Sequence, residues 1–369
     1  MKWDKYRDKD IIPLWVADMD FRAPPAVINA LQQRIDHGVF GYAVTPESLN
    51  QTVVEMLAAE YNWSIQPQWL VWLPGLVSGL NVACRAVGQD NDRVMTAVPV
   101  YPPFLQAPEN CRRHLIKVPL REQENRWCFD FERIENAITA DTRLFILCNP
   151  HNPVGRVFAR DELETLAAIC DKHDIIICSD EVHCGLLLDA DKAHLPTAAL
   201  GAEVARRTIT LMSPSKTFNL PGLGCAFAVI SEKNLRRRFM ESMSGIVPLV
   251  NALGYVAAEA AYRHCSQWHA DLLDYLRQNR DRVANAIGQI PLLSMAPVEA
   301  TYLAWIDVRS ADLQDPVKFF EDAGIGLQDG IEFDGPGFVR LNFGCRRALL
   351  EEALKRLAGA MDRHLKTRA

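Results

Sequence analysis

The sequence predicts an α/β protein built on a mostly parallel, doubly wound sheet, with a smaller α+β domain beside it. Three observations predict this. Short apolar runs such as Leu144–Cys148 and Ile175–Cys178 recur between amphipathic helical stretches, which is the pattern of strands buried on both faces. These runs stop in polar, turn-forming motifs, among them Asn149–Gly155, Asp180–His183 and Ser213–Lys216. After Ser231 the character changes to long helices, followed by two further strands.

Taken in order, residues 11–21 (IIPLWVADMDF) are an apolar run with two aspartates and predict an extended arm. Pro24-Pro25 opens an amphipathic helix with Val27, Leu31 and Ile35 on one face, stopped by Gly38. Phe40-Gly41-Tyr42 is a short aromatic loop, and Thr45-Pro46 caps the next helix. Trp69–Leu73 runs into the glycine-bearing turn Pro74–Gly79 and a helix through Val87. Strands follow at Arg93–Val98, Arg143–Cys148, Asp174–Ser179, Thr208–Met212 and Cys225–Ile230, with a helix at Arg160–His173. Helices are expected at Glu232–Met243, Pro248–His264 and Ser266–Ile287. Strands at Thr301–Val308 and Phe338–Phe343 then flank a helix near Asp315–Ala323, and Arg347–His364 closes the chain. The expected division is a large domain at 25–250, with the arm 1–24 and a small C-terminal α+β domain at 251–369.

Composition narrows the function classes. The 369 residues are 49% hydrophobic and 23% charged, as in an ordinary globular protein. A net charge of −6, spread along the chain, gives no basic surface for nucleic acid or anionic lipid. No apolar run approaches a membrane span, and the charged start MKWDKYRDKD carries no apolar signal segment. Ten cysteines without a C-x-x-C pair predict buried thiols in a reducing cytoplasm and no metal site.

The strand Thr208–Met212 delivers Lys216 just past the turn Ser213-Pro214-Ser215. A lone lysine there is either a solvated loop residue or an amine placed to form a Schiff base with a carbonyl cofactor. The run S-P-S-K-T-F-N-L-P-G resembles the lysine motif of fold-type I pyridoxal-phosphate enzymes, and that favours the second reading. Pyridoxal 5'-phosphate needs a lysine, an anion for its pyridine nitrogen, a donor to its phenolate oxygen, a face to stack on and a cup for its phosphate. The candidates are Asp180 for the nitrogen, Asn152 for the phenolate oxygen and Tyr101 for the ring. Gly75, Leu76 and Val77 at a helix start, with Ser213, are the candidates for the phosphate. Arg340, in F-V-R-L-N-F-G, suits a substrate carboxylate. Singly, each has a plainer reading: Asp180 a turn cap, Asn152 an Asn-Pro turn, Tyr101 a hydrophobic contact, Arg340 a surface residue on an edge strand. Their co-occurrence at strand ends carries the inference.

Across nearly the whole chain the sequence resembles the aminotransferase class I/II superfamily of fold-type I enzymes, and within it the MalY/PatB type of cystathionine β-lyase (C–S lyase). The marks are K-W-D-K-Y, W-V-A-D-M-D-F, H-G-V-F-G-Y, N-P-H-N-P-V-G, S-D-E-V-H, T-Y-L-A-W-I-D and G-F-V-R-L-N-F-G-C, besides the lysine run. The resemblance implies a PLP enzyme in which Lys216 and Tyr101 are catalytic and Asp180, Asn152 and His183 contact the cofactor. It also implies a homodimer with the site at the interface, where Tyr42 of one chain reaches the phosphate in the other. The implied reaction is β-elimination on cysteine S-conjugates such as L-cystathionine. The alternatives are amino-acid transamination, or a regulatory protein that keeps the fold. Val154 stands where the familiar motif has Thr, and Arg346 replaces a common proline. The chain also begins almost at K-W-D, ahead of which relatives commonly carry some residues. Gly224 occupies the position, eight residues after the lysine, where many aminotransferases place a phosphate-binding arginine. The phosphate is then left to backbone N–H groups, Ser213 and Tyr42.

Overall fold

The computed structural model describes residues 1–368. Its central feature is a seven-stranded mixed sheet. After a short arm strand, β1 (Ile12–Pro13), come β2 (Leu70–Leu73), β3 (Arg93–Val98), β4 (His114–Pro119) and the hairpin β5 (Arg121–Gln123) and β6 (Arg126–Cys128). Next are β7 (Thr142–Cys148), β8 (Ile176–Asp180), β9 (Thr208–Met212) and β10 (Ala226–Val229). The sheet order is β2-β10-β9-β8-β7-β3-β4. The five strands from β9 to β4 pair in parallel, while β10 is antiparallel to both β9 and β2. All five residues of β9 are buried, and so are all four of β10. Layers of helix on both faces explain why these strands are apolar throughout instead of alternating.

Helices α1 (Pro25–His37), α2 (Glu47–Tyr61), α3 (Leu76–Ala86) and α4 (Pro102–Asn110) precede or link the first strands. Gly38 ends α1 at φ 74°, a left-handed turn in which glycine carries no steric penalty. The helix expected from Pro248 begins instead at Ala252. Asn251 caps it by accepting from the Gly254 N–H, while Pro248–Val250 stay outside the helix. That helix, Ala252–His264, packs Ala257, Ala260 and Ala261 against Val27 of α1 and Phe218.

A four-stranded antiparallel sheet forms the second layered unit. With β13 (Ile325–Gly326) pairing outside it, its strands are β11 (Ser294–Met295), β12 (Leu303–Asp307), β14 (Gln328–Asp329) and β15 (Phe338–Asn342), in the order β11-β12-β15-β14. Helices Ser266–Gln289 and Arg347–Arg368 share its core, with Leu276, Val283, Leu350 and Leu357 fully buried against Leu303 and Leu341. Arg340 lies on β15, which is paired on both sides, so it is an interior residue and not one on an edge strand. The arm joins the two units: β1 pairs with β13, and Leu14, Ala17 and Met19 enter the core of the small sheet. Among the described residues, no helix is long and apolar enough to cross a membrane.

Candidate active site

The carboxyl ends of β7, β8 and β9 open into a cavity of about 240 Å³ whose walls include Lys216, Asp180, Asn152, His183 and Tyr101. The turn that presents Lys216 is built by Ser213. Its Oγ donates to the Cys225 carbonyl on the neighbouring strand (2.7 Å) and accepts from the Ser215 N–H (3.1 Å). Lys216 Nζ donates to the Ala17 carbonyl at 2.5 Å, and Tyr302 Oη donates to the same oxygen at 3.0 Å. That carbonyl is held over the site by two asparagines. Asn219, of the T-F-N run, binds Met19 and Phe21, and Asn342 donates to the carbonyls of Val16 and Asp18.

Burial dominates the electrostatics. It pushes the Lys216 ammonium down to about 8, with the Arg340 charge adding to the fall and Asp18 and Asp180 opposing it. Asp180 is pushed up to about 7 by burial and held back by the Val182 N–H and by Lys216. Among the described residues, its carboxylate accepts one hydrogen bond, from that N–H at 3.1 Å. His183 is held neutral by burial and by the positive charges of Lys216 and Arg340. Its Nδ1 is buried and without a hydrogen-bond partner among the described residues. Tyr101 precedes α4 and its hydroxyl stays protonated, again through burial.

Arg340 is 1% exposed. Its Nη1 donates to Asn152 Oδ1 (2.9 Å), its Nη2 donates to the Trp15 carbonyl (3.0 Å) and to Gln328, and its face lies over Phe333 at 4.7 Å. With the amide oxygen of Asn152 engaged, the NH2 end is the one able to donate into the cavity.

On the opposite wall, α3 begins at Leu76, and the first N–H groups of a helix have no intrahelical partner. Gly75, Leu76 and Val77 all line the cavity, and a Cβ placed on Gly75 would meet nothing within 4 Å. Gly224 lies beside them at φ 57°, where a Cβ would come within 3.0 Å of the Pro74 carbonyl. The position where many aminotransferases carry an arginine is thus one that strains any side chain.

These groups fit pyridoxal phosphate. A buried carboxylate with a single N–H donor matches a pyridinium nitrogen, and an open helix start matches a dianionic phosphate. A desolvated lysine matches the aldehyde. Ser213 lines the same cavity, but its proton is already given to Cys225. Sequence reasoning did not single out Ser215, which lines the cavity too, nor the carbonyls of Ala17 and Trp15, nor Gln328. Tyr42 is fully exposed and is not among the walls of its own chain's cavity.

Comparison with known proteins agrees with this geometry. The family model for aminotransferase class I and II matches residues 9–357. Cystathionine beta-lyase PatB of Bacillus subtilis (strain 168) is 35% identical over 375 residues, covering 98% of this chain and 96% of that protein. The crystal structure of OvoB superposes with a TM-score of 0.96 at 47% identity, covering 98% of this chain and 95% of the other. Cystalysin from Treponema denticola, solved with a pyridoxal 5'-phosphate cofactor, gives a TM-score of 0.94 at 32% identity with the same two coverages. The chain belongs to the aminotransferase class I and II family, in the branch of the MalY and PatB cystathionine β-lyases.

Proposed function

We propose that this protein is a pyridoxal-5'-phosphate-dependent carbon–sulfur β-lyase. It acts on cysteine S-conjugates such as L-cystathionine and releases a thiol, pyruvate and ammonia. The observation that carries the reading is the meeting of a desolvated amine and a buried carboxylate in one cavity, with a buried guanidinium, not itself on the cavity wall, bonded to its wall residue Asn152, in a chain 35% identical to PatB.

Bound there, the cofactor supplies an electron sink for negative charge at the substrate Cα. The remaining work falls to side chains. Arg340 receives the substrate carboxylate on its planar fork and so orients the Cα–H bond. Lys216, with its amine proton loosened to about 8, is neutral often enough to take the Cα proton at Nζ. The leaving sulfur departs as thiolate or is protonated from the same amine. Asp180 would keep a proton on the pyridine nitrogen, Asn152 would donate to the phenolate oxygen beside His183, and Tyr101 would cover the ring. The N–H groups of Gly75–Val77 would hold the phosphate, with Tyr42 of a second chain as a further donor.

Support for the homodimer is the exposed apolar surface around Tyr42. Phe40 and Val44 are exposed near it, and Val44, Met240 and Leu249 line one groove. Ten free, mostly buried cysteines support a reducing compartment, and we assign the enzyme to the cytoplasm. Ala252–His264 shares the core of α1, so we draw the boundary between the two units at Cys265.

The test is L-cystathionine supplied without any oxo acid, with pyruvate and thiol assayed. Both products are expected at once. Turnover that starts only on adding an oxo acid would make the enzyme a transaminase instead.

A further inference from the structure

Away from the cavity, Glu299 sits just before β12 at the centre of a cluster of buried charge. It is 6% exposed, and Arg156 beside it 1%. Glu299 Oε1 meets Arg126 Nη2 at 3.1 Å and Arg156 Nη1 at 3.4 Å, with Lys192 Nζ at 3.9 Å. Its Oε2 accepts from the Val157 N–H at 2.7 Å. Arg156 in turn gives Nη2 to both oxygens of Glu162. A carboxylate taken out of water is tolerated only with partners of this kind, so the cluster fixes where Glu299 can sit. None of these side chains lines the cavity.

The backbone around Glu299 shows what the cluster holds. The Glu299 and Ala300 N–H groups both donate to the Gly155 carbonyl, at 2.9 and 3.0 Å. Gly155 closes the turn Asn149–Gly155, its N–H on the His151 carbonyl at 2.7 Å, and a Cβ there would come within 2.9 Å of Val298. That turn carries Asn152. Beyond Glu299, β12 pairs with β15 and sets Trp305 opposite Arg340. Arg340 Nη1 then donates to Asn152 Oδ1 at 2.9 Å. The bonds form a ring: Gly155 to Glu299, β12 to β15, Arg340 to Asn152, and along the turn back to Gly155.

We infer that Glu299 is a positioning residue for Asn152. Its carboxylate seats the Asn149–Gly155 turn against the segment that leads into β12, and this fixes Asn152 between Arg340 and the phenolate oxygen of the cofactor. The inference rests on the pyridoxal-phosphate reading of the site. Glu299 acts through Asn152 and lies outside the cavity wall. With Oδ1 held by Arg340, the NH2 end of Asn152 is aimed by the turn alone, so a shift of the turn removes its donation.

The experiment titrates the visible absorption of the cofactor-loaded enzyme with pH, without substrate. Donation from Asn152 draws negative charge from the phenolate oxygen and weakens that oxygen's hold on a proton at the neighbouring Lys216 nitrogen. Glu299→Gln removes the charge but keeps the shape and an oxygen for the Val157 N–H, and Arg156 keeps Glu162, so the chain should fold. The midpoint should then rise by about one pH unit, the worth of one hydrogen bond to a charged group. The lost negative charge alone would lower the midpoint, so a rise cannot come from it. The charges that act on Lys216, those of Arg340, Asp18 and Asp180, are untouched. Asn152→Ala should raise the midpoint as well, and the double variant should go no further than Asn152→Ala alone, because both changes remove the same bond. Glu299→Asp keeps the charge and draws the carboxylate back by one methylene; it should give a smaller rise, and it serves if the amide variant does not fold. A midpoint unmoved in the variant that folds overturns the inference, and so does a double variant whose shift is the sum of the two. Because no substrate is present, the result is separate from whether the enzyme eliminates or transaminates.

Discussion

The floor of the cavity and the loop 39–44, which the proposed dimer would bring to the site, are built in opposite ways. The floor is over-determined. Asp180 is 4% exposed at the end of β8, Lys216 is tied to the arm, and Arg340 is bonded to Asn152 and Trp15. The loop has almost nothing holding it: Val39, Phe40, Tyr42 and Val44 are exposed, and Tyr42 entirely so. Charge explains the contrast. An unpaired buried charge is costly, so the polar groups of the floor must be held by the same chain that buries them. An aromatic loop meets no such demand, and exposed apolar residues in a row are stabilised only by a second surface. The floor is thus where single-chain substitutions should act on chemistry, and the loop where they should act on assembly and cofactor retention.

The largest effect should come from the floor. Lys216→Ala removes the amine that binds the aldehyde and moves the proton, so turnover should fall by roughly 10²–10⁴-fold and the protein should lose its yellow colour. Retained colour that borohydride bleaches would break the assignment. Next comes Arg340→Lys, which keeps a charge but loses the planar fork. KM for L-cystathionine should rise about ten- to a hundredfold, the equivalent of one or two charged hydrogen bonds at ~1.5–3 kcal/mol each. An unchanged KM with a lowered kcat would move Arg340 out of carboxylate binding.

The depressed lysine also sets a pH dependence. Cofactor uptake by the apoprotein needs neutral amine, so its rate should climb about tenfold per pH unit below about 8 and flatten above it. Stability of the apoprotein carries the same signature. Lys216 falls from 10.5 to about 8 on folding, so its share of stability is complete above 10.5 and is lost as pH falls through about 8. Asp180 rises from 3.8 to about 7, so its share is complete below 3.8 and is lost as pH rises through about 7. An uptake rate still climbing well above 8 would mean that Lys216 is solvated.

Much of the floor was legible in the sequence because it is written in side chains at strand ends. Lys216, Asp180 and Asn152 each follow an apolar run whose period ends in turn residues. What stayed hidden is written in backbone. The Ala17 and Trp15 carbonyls bind Lys216 and Arg340 across 199 and 325 residues of chain, and no side-chain pattern marks a carbonyl. Gln328 was missed for a related reason: β14 has two residues, too few to show a period. The strand expected from Thr301 starts at Leu303, because Thr301 turns through φ 75°. The loop was the reverse case. H-G-V-F-G-Y was visible as a family mark, but in the proposed dimer its contacts would lie on a second chain.

Tyr42→Phe tests the loop directly. If its hydroxyl donates to the phosphate in the partner chain, cofactor affinity should fall about tenfold, near the lower end for a charge-assisted hydrogen bond at ~1.5 kcal/mol. Folding stability of the single chain should not change, since Tyr42 is fully exposed. Dilution below the dimer dissociation constant should release cofactor from the wild type as well, because the two equilibria are then coupled. A monomer that retains its cofactor would place the whole site within one chain.

Gly224 lies on the opposite wall of the same cavity and should answer the other way. Its φ of 57° belongs to the left-handed region, where a side chain costs roughly 1–2 kcal/mol, and the added Cβ would come within 3.0 Å of the Pro74 carbonyl. Gly224→Ala should therefore lower the thermal midpoint of the apoprotein by a few degrees, about 2–4 °C for each kcal/mol in a chain of some 200 residues and less in this longer one. The strain passes through Pro74 to Gly75 at the start of α3, so cofactor affinity should weaken as a consequence of the lost stability. Tyr42→Phe, by contrast, should weaken affinity with no loss of stability at all. A Gly224→Ala protein that melts like the wild type yet binds cofactor poorly would erase that distinction. It would show that position 224 touches the phosphate through its own N–H, as a donor and not as a spacer.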